Sequence, residues 1–325
     1  MTYIKTIWEN DVTPLNADNM NKIEEGIYAL SHGLPDTIID TQEKFDELIE
    51  SPTWLGFENI ALSGSFTATG KITIPSTVKK IEGVNGTVIT INSEGLTQIE
   101  DFAFGYATKP TGKEYEIRNL KILCDSNSRV GGSSAFQSCI KNCINIHNVT
   151  VWQFGDPLEL ATDETHCFDN CDNVDNCYAG VLTESGIGFY NCSNISNCSG
   201  SSAAITYNLF NDCKNIVNCD ILINGDHASP SVFTNCSYLV NCHVTFDSIT
   251  STGTVTGFNF CKSMGNCSCV ISTSESSIFG AYGFLCCDKL SSCVSTVSDM
   301  EAENIYRSLY CTCVGVSCDI ADQKE

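Results

Sequence analysis

The chain has 325 residues and a formal net charge of −22, which results from 39 acidic and 17 basic side chains. Such a surface repels phosphate groups, so nucleic acids and anionic membranes are excluded as binding partners. No stretch of the sequence is apolar for the length of a transmembrane helix, and we therefore expect no insertion into a membrane.

The first predicted element is a helix that begins after the N-cap residue Asn16 and ends before Gly33. One narrow side of this helix is apolar, with a/d spacing at Met20, Ile23, Ile27 and Leu30. A stripe this thin indicates self-association, and packing against the remainder of the chain is the alternative. We assign residues 1–36 to a helical module for attachment and oligomerisation, and we expect residues 1–33 to form its contacts with other protein chains.

A second, shorter helix is predicted from residue 40 or 41 to about Glu50, with Phe45, Leu48 and Ile49 on its apolar side. The terminal coil of a stacked repeat protein leaves apolar side chains and a strand edge uncovered. We therefore predict that residues 37–56 form a cap on the repeat region that follows.

From Phe168 to Cys293 the chain repeats one pattern six times: Phe, two residues, Cys, five residues, Cys. The copies read FDNCDNVDNC, FYNCSNISNC, FNDCKNIVNC, FTNCSYLVNC, FNFCKSMGNC and FLCCDKLSSC. A repeat at a near-constant interval is typical of one structural unit stacked on itself, a solenoid. We predict an all-β solenoid, a right-handed parallel β-helix, over residues 57–325, with about eleven coils at about 4.8 Å per coil.

Alignment of the copies places apolar residues or Cys in four columns, as the interior of stacked coils requires. Phe dominates the first column, which contains Ile140, Phe168, Phe189, Phe210, Phe233, Phe258, Phe284 and Tyr310. Two columns contain mostly Cys: Cys143, Cys171, Cys192, Cys213, Cys236, Cys261 and Cys287, with Cys313 more loosely, and then Val149, Cys177, Cys198, Cys219, Cys242, Cys267 and Cys293. The fourth column is aliphatic, with Ile146, Val174, Ile195, Ile216, Leu239, Met264 and Leu290. One coil upstream, Ile117 is expected in the first Cys column, followed by Leu120 and Leu123 as inward residues.

Cys alternates in these columns with Ile, Leu and Val, so the thiols are interpreted as small apolar side chains. Disulfides are the alternative, because thiols of adjacent coils come within bonding reach. The chain has 21 cysteines, an odd number, and Met1–Asn10 has no secretory signal pattern. We therefore expect reduced, packed thiols.

Asn recurs beside the apolar columns. It occupies one position at Asn173, Asn194 and Asn215, and a second position at Asn142, Asn176, Asn197, Asn218, Asn241 and Asn266. Asn tolerates left-handed backbone and bonds its own main chain, which suits tight corners. Stacked corners also allow the amides of successive coils to bond one another.

The longest interval of the repeat, residues 143–171, contains the insertion TVWQFGDPLELATDETH. Insertions in solenoids form loops that often belong to the binding surface. Trp152 beside the carboxylates of Asp156 and Glu159 is suited to glycan binding, because an aromatic ring packs against the apolar side of a sugar ring. Asp156, Glu159 and Asp163 are the candidate catalytic residues if the site cleaves glycan, since such enzymes use paired carboxylates. The alternative interpretation is an ordinary solvated loop with Trp152 packed against the rod.

Other chemistry-bearing residues give no predicted site. Asp169, Asp172 and Asp175 have a spacing that suits calcium, but the next coil has no carboxylate at these positions. The adjacent Asp226 and His227 are interpreted as part of a solvated turn. Cys-x5-Cys is not a zinc spacing, and the sequence contains no phosphate-binding loop. We predict no metal and no cofactor.

The segment WENDVTPLNADNMNKIEEGI, from Trp8 to Ile27, resembles a short module at the start of many tail-fibre, tail-spike and baseplate proteins from phages of Gram-positive bacteria. The shared core is TPLNA, residues 13–17, followed by a helix with Asn and Ile-Glu. The resemblance implies that the N-terminal module docks to the virion. It also implies that a β-helix, usually trimeric, displays or cleaves glycan of the host surface.

These observations predict a phage or prophage tail-associated structural protein that recognises its host. We expect a homotrimer in the virion tail, assembled in the host cytoplasm. We expect it to contact other tail or baseplate proteins through residues 1–33 and to bind cell-surface polysaccharide without enzymatic activity. The first alternative is a tail-spike depolymerase, a polysaccharide lyase or glycoside hydrolase. The second is a leucine-rich-repeat surface interaction protein, because ITIPSTVKKIEG and LTQIEDFAFG resemble that family.

Overall fold

The computed structural model describes residues 35–125, 129–130, 133–154, 165–182, 185–202, 206–226, 229–250, 253–273, 280–298, 304–309 and 311. Within these ranges the chain is an all-β parallel β-helix of about nine turns with very little helix. The predicted β-helix is therefore confirmed, and the alternative of a leucine-rich-repeat fold is wrong. The predicted number of about eleven coils covers residues 57–325, and part of this range lies outside the described residues. The predicted helix of residues 16–33 also lies outside them. No helix in the described ranges is long and apolar enough to cross a membrane.

The α-helix α1, Gln42–Glu50, lies where the sequence predicts it. Its N-cap is Thr41, whose hydroxyl accepts a hydrogen bond of 3.3 Å from a backbone N–H of the first turn. Phe45 and Leu48 are buried, and the ring of Phe45 stacks on that of Phe66 at 4.8 Å between centroids. The helix is thus attached to the first coil through its predicted apolar side.

The N-terminal half of the described chain forms 15 strands and one 3₁₀ turn, Trp54–Gly56. The strands are β1 (Thr37–Ile39), β2 (Asn59–Thr69), β3 (Ile72–Ile74), β4 (Lys80–Asn92), β5 (Phe104–Tyr106), β6 (Glu116–Arg118), β7 (Lys121–Asp125), β8 (Arg129–Val130), β9 (Ser133–Ser134), β10 (Ser138–Lys141), β11 (Ile144–His147), β12 (Thr150–Phe154), β13 (Thr165–Asp169), β14 (Asp172–Asp175) and β15 (Tyr178–Leu182).

The remaining described residues continue the same order of strands. They form β16 (Ser185–Tyr190), β17 (Ser193–Ser196), β18 (Ser199–Ser202), β19 (Thr206–Asn211), β20 (Lys214–Val217), β21 (Asp220–Asp226), β22 (Ser229–Thr234), β23 (Ser237–Val240), β24 (His243–Thr250), β25 (Thr254–Asn259), β26 (Lys262–Gly265), β27 (Ser268–Thr273), β28 (Gly280–Leu285), β29 (Asp288–Ser291), β30 (Val294–Ser298) and β31 (Asn304–Leu309).

Each regular coil contributes one strand to each of three faces, and these strands pair in parallel with their counterparts in the neighbouring coils. The strands β8 and β9 form a separate antiparallel pair. The first face is a ten-stranded sheet: β3, β5, β10, β13, β16, β19, β22, β25, β28 and β31. The second face contains β6, β11, β14, β17, β20, β23, β26 and β29, and the third contains β7, β12, β15 and β18 and then the separate sheet β21, β24, β27 and β30. The long strands β2 and β4 bend around the corner between the second and third faces, which joins these two faces into one sheet.

The first coil is protected at its outer edge by a side chain of α1. The Gln42 amide donates from Nε2 to the carbonyl oxygen of Thr67 at 2.8 Å, and its Oε1 accepts from the Thr67 N–H at 2.9 Å. Thr67 lies in β2, beyond the three residues of that strand that pair with β1. Because free strand edges invite association with other chains, this contact supports the capping role of residues 37–56, which stays a prediction.

The interior is built from the predicted columns. The rings of Phe168, Phe189, Phe210, Phe233, Phe258 and Phe284 form one continuous stack, with centroids 4.7–5.0 Å apart and planes within 12° of parallel. This distance equals the spacing between neighbouring strands, so each ring sits directly over the ring of the previous coil.

Every described cysteine is a free thiol, and the described cysteines of both predicted columns are buried. The thiols lie close to backbone carbonyl oxygens: Sγ of Cys192 is 3.5 Å from the oxygen of Phe168 and 3.2 Å from that of Tyr190. Burial raises the pKa of the Cys171 and Cys236 thiols, so these groups stay protonated at neutral pH. The described part of the chain therefore contains packed thiols, as the sequence predicts, and no disulfide.

The register differs from the prediction upstream of the regular repeats. Ile117 pairs with Ile146 and lies in the aliphatic column, not in the first Cys column. Leu123, predicted to point inward, pairs with Trp152 and lies on the outer side of β7, between the buried residues Ile122 and Cys124. The reason is the long connection between β7 and β10, which contains β8 and β9 and changes the count of residues within that coil.

A second difference occurs at the C-terminal end. Ser308 pairs with Phe284 and takes the next position of the Phe column, whereas Tyr310, which the sequence predicts there, lies outside the described residues. The sulfur of Cys311 lies 3.5 Å from the carbonyl oxygen of Phe284, as the first-column thiols do in other coils. Cys311 therefore occupies the place that the sequence assigned to Cys313.

The corners of the coils contain the predicted Asn residues. Their backbone is left-handed at three positions per coil, with φ between +50° and +58°. Amides of successive coils bond along the axis, for example Asn215 Nδ2 to Asn194 Oδ1 at 2.9 Å. Asn142 bonds to Asn170 at 2.7 Å, so it belongs to a third corner position and not to that of Asn176, where the sequence placed it.

Candidate functional site

Trp152 is the predicted binding residue that the structure describes, whereas Asp156, Glu159 and Asp163 lie outside the described ranges. Val151 and Gln153 are buried in the interior, so the alternation of β12 directs Trp152 outward. Trp152 therefore projects from the third face, on the strand β12 at the start of the insertion, and is not a loop residue.

A glycine in the next coil makes room for the indole ring. Trp152 pairs with Gly180 of β15, and a Cβ atom on Gly180 would lie 2.3 Å from Cε3 of the indole. That distance is far below van der Waals contact, so no larger residue fits there without moving the ring. The indole consequently lies flat against the backbone of the neighbouring strand.

Two further aromatic side chains extend this surface. The ring centroids of Trp152 and Tyr178 are 5.3 Å apart at an interplanar angle of 42°, and those of Trp152 and Phe154 are 6.4 Å apart at 11°. The Tyr178 hydroxyl forms a hydrogen bond with the Ser201 hydroxyl. Trp152, Phe154 and Tyr178 are here named the aromatic platform.

The aromatic platform has the chemistry of a sugar-binding surface. Trp152 and Phe154 are partly exposed, as is Tyr178 on the neighbouring coil. Such rings offer a flat apolar surface, and the hydroxyls of Tyr178 and Ser201 lie beside it. The three rings carry no charge, and the partly exposed Asp125 lies on the strand beside Phe154. The surface therefore offers stacking by the rings and hydrogen bonds at its border.

The sequence identified Trp152 but missed Phe154 and Tyr178. The signal for Phe154 was present, because it stands two residues after Trp152 and therefore shares its side of the strand. Tyr178 directly follows a column cysteine, Cys177, which places it outside the core. Its proximity to Trp152 depends on the pairing of β12 with β15, which requires the coil register.

The carboxylates that suggested calcium have protein partners instead. Asp172 Oδ1 accepts hydrogen bonds of 2.7 Å from both the Ser193 hydroxyl and the Asn194 amide of the next coil. Asp175 is bonded in the same way, and the Ser196 hydroxyl holds the pKa of its carboxyl below the usual value. No group of three or more His, Cys, Asp or Glu residues in the described ranges is arranged to hold a metal ion.

Asp169 lies apart from these carboxylates, on the first face. Its Oδ2 accepts a hydrogen bond from the Ser138 hydroxyl and pairs with Lys141 Nζ, both at 2.9 Å. Nearby, the ring of His166 stacks on Tyr190 at 4.3 Å between centroids, and burial lowers the pKa of this histidine. His166 therefore stays neutral at neutral pH and, although it belongs to the insertion in sequence, it lies on a different face from Trp152.

No known family model matches this chain, and no curated protein matches it in sequence. Its fold is similar to that of PfbA, a surface adhesin of Streptococcus pneumoniae, with 10% identity, a TM-score of 0.38, and 86% of this chain and 90% of that chain covered. It is also similar to an N-terminal fragment of gene product 12 of bacteriophage phi29, with 13% identity, a TM-score of 0.38, and 91% of this chain and 59% of that chain covered. At these values the similarities concern the fold and do not identify a function.

Proposed function

We propose that this protein is a tail-associated host-recognition protein of a phage or prophage, which binds cell-surface glycan at the aromatic platform without cleaving it. The observation that carries this proposal is the partly exposed cluster of Trp152, Phe154 and Tyr178 on the third face. The resemblance of residues 8–27 to the N-terminal module of phage tail proteins supports the location in the virion.

The rigidity of the scaffold favours this role. The platform lies on the strands β12 and β15, which pair in parallel over five consecutive residues. A surface that is ordered before binding loses little conformational freedom when the ligand arrives, which increases affinity. A glycan without acidic groups suits this surface, because a chain with a net charge of −22 repels acidic ligands at long range.

Replacement of Trp152 by Ala is expected to weaken binding to polysaccharide from the host cell wall or capsule by roughly tenfold, because the largest stacking surface is lost. Isothermal titration calorimetry with purified polysaccharide fragments measures this change. Trp152→Phe should retain part of the affinity. Tyr238→Ala is the matched control, because Tyr238 is an exposed aromatic residue at a corner remote from the platform.

Equal affinity of wild type and Trp152→Ala would contradict the proposal. The same incubations should release no reducing ends and no unsaturated sugar products. Release that disappears when Asp156, Glu159 and Asp163 are replaced together by their amides would instead favour the depolymerase.

We also propose that the protein acts as a homotrimer that contacts its own copies and other tail proteins through residues 1–33. Multi-angle light scattering should then give a mass of about three times 35.3 kDa. Ile23→Asp combined with Ile27→Asp should shift the mass toward that of the monomer, because charges would interrupt the apolar stripe. A monomeric wild-type protein would contradict the trimer.

A further inference from the structure

The outer surface of the first face contains a crease that the proposed function does not use. In its strands two consecutive side chains point inward: Leu209 and Phe210 in β19 are both 0% exposed. Because side chains normally alternate along a strand, such a pair bends the strand, and the residues on either side of it converge on the outer surface. In β22 the hydroxyls of Ser231 and Thr234, which flank the equivalent inward pair, are 2.9 Å apart.

Stacking of the coils turns these bends into one continuous crease parallel to the long axis. Its central part is lined by Asn208, Asn211, Ser231, Thr234, Thr256 and Asn259, which are paired in register between β19, β22 and β25. The crease is bounded by Tyr190 in the preceding coil and Tyr282 in the following coil. At about 4.8 Å per coil, these tyrosines are about 19 Å apart along the axis.

The lining of this crease is electrically neutral. Between Tyr190 and Tyr282 the two rows of outward residues contain amides, hydroxyls and aliphatic groups and no acidic or basic side chain. The nearest charges in these rows, Lys141 and Asp169, pair with each other. The net charge of −22 repels acidic ligands from the crease, and the crease has no cation to offset this repulsion. Its two rows also provide no carboxylate that would attract a basic ligand.

Two amide oxygens in the crease lack a hydrogen-bond partner among the described residues. They are Asn211 Oδ1 and Asn259 Oδ1, and both are buried. Between them, Thr234 Oγ1 donates to Asn208 Oδ1 at 2.9 Å. A buried polar atom without a hydrogen-bond partner lowers the stability of a protein by about 1–3 kcal/mol. A ligand that donates hydrogen bonds to these two oxygens, after a small rotation of each amide, would remove this cost.

The two amides are separated by two coils, about 10 Å. An extended chain of β-linked pyranose rings presents equivalent hydroxyl groups at a similar repeat, so each amide would meet the same group of the ligand. An extended peptide fits less well. Peptides that bind β-structure pair with a free strand edge, whereas the strands beneath this part of the crease are paired on both sides.

We propose that the crease between Tyr190 and Tyr282 is a second ligand site, which binds an uncharged, extended oligosaccharide through the Asn, Ser and Thr side chains. That the ligand is a sugar rests on the proposed function. That the ligand is uncharged and extended is inferred from the neutral lining and the length of the crease. The site lies on the first face and shares no residue with the aromatic platform.

Calorimetry with linear hexamers of N-acetylglucosamine and of glucose tests this site, with a hexamer of galacturonic acid as the acidic probe. The Trp152→Ala protein should still bind at least one uncharged hexamer and should not bind the acidic hexamer. Asn211→Ala combined with Thr234→Val should weaken that binding by roughly tenfold or more. Thr245→Val, at a partly buried outward position of the third face, is the matched control.

The two sites fail independently in this design. Loss of all hexamer binding in Trp152→Ala, or unchanged binding in the crease variant, overturns the second site and leaves the platform intact. Equal binding of the acidic hexamer, or displacement of the bound hexamer by an uncharged hexapeptide, overturns the assigned ligand class. Asn259→Ala alone provides an independent variant if the double variant does not fold, and it should weaken the same binding.

Discussion

Replacement of Cys213 by Asp is expected to destabilise the protein by about 3–5 kcal/mol, because it buries a carboxylate that has no cation to pair with. The Cys213 thiol contacts the thiols of Cys192 and Cys236 in the coils on either side. Its sulfur also lies 3.2 Å from the carbonyl oxygen of Phe189, an acceptor that would repel a carboxylate. Urea unfolding followed by circular dichroism at neutral pH measures the loss.

The matched control is Cys213→Val, which keeps a small apolar side chain at the same position. It should change the free energy of unfolding by less than about 1.5 kcal/mol, because packing is retained and only a weak thiol hydrogen bond is lost. A large loss with Val, or unfolding of the wild type by reductant, would contradict the packed-thiol interpretation. Alkylation in urea without reductant should accordingly modify all 21 cysteines.

The β-helix could be predicted because its interior repeats. Phe210, Phe233 and Phe258 occupy equivalent positions in three coils, and nothing but stacking brings residues so spaced into direct contact. Val149 occupies the position of Cys177 in the preceding coil, and this exchange of Cys with an aliphatic residue indicates that the thiols belong to the core. The Asn corners followed from the same logic, since left-handed backbone at a repeated position favours Asn.

The outer surface could not be predicted to the same depth, because it depends on lateral neighbours. Tyr178 contacts Trp152 only because β12 pairs with β15. Gly180 makes room for the indole ring, but no sequence pattern distinguishes this glycine from others. The crease on the first face was also missed. Inward doublets such as Leu209-Phe210 are visible in the sequence, but the convergence of Asn208 and Asn211 follows from the bend of the strand.

Register errors had a different origin. Ile117 was assigned by counting back from Cys143, a method that assumes corners of constant length. The connection from β7 to β10 contains β8 and β9, so 29 residues separate Ile117 from its partner Ile146, whereas 21 separate Val174 from Ile195. The count therefore failed in that coil, although Ile117 is an inward apolar residue as predicted. Solenoids tolerate such insertions because the pairing of strands, not the length of the corners, holds adjacent coils together.

Replacement of Phe233 by Ala is expected to destabilise the protein by about 3–5 kcal/mol, because it opens a cavity in the middle of the aromatic stack. The Phe233 ring is 0% exposed and lies 4.7 Å from the centroid of Phe210 and 5.0 Å from that of Phe258. Both stacking contacts are lost together, and each contributes beyond the buried area alone. Urea unfolding measures the total effect.

The location of the damage distinguishes a stacked solenoid from a globular core. Because each coil contacts only its neighbours, hydrogen exchange should accelerate most in β19, β22 and β25 and least around α1. Phe260→Ala is the control, because Phe260 is 52% exposed at a corner, and its loss should change stability by less than about 0.5 kcal/mol. Similar losses for both variants, or uniform acceleration of exchange from α1 to β30, would show that the stacked rings do not act as the local support of each coil.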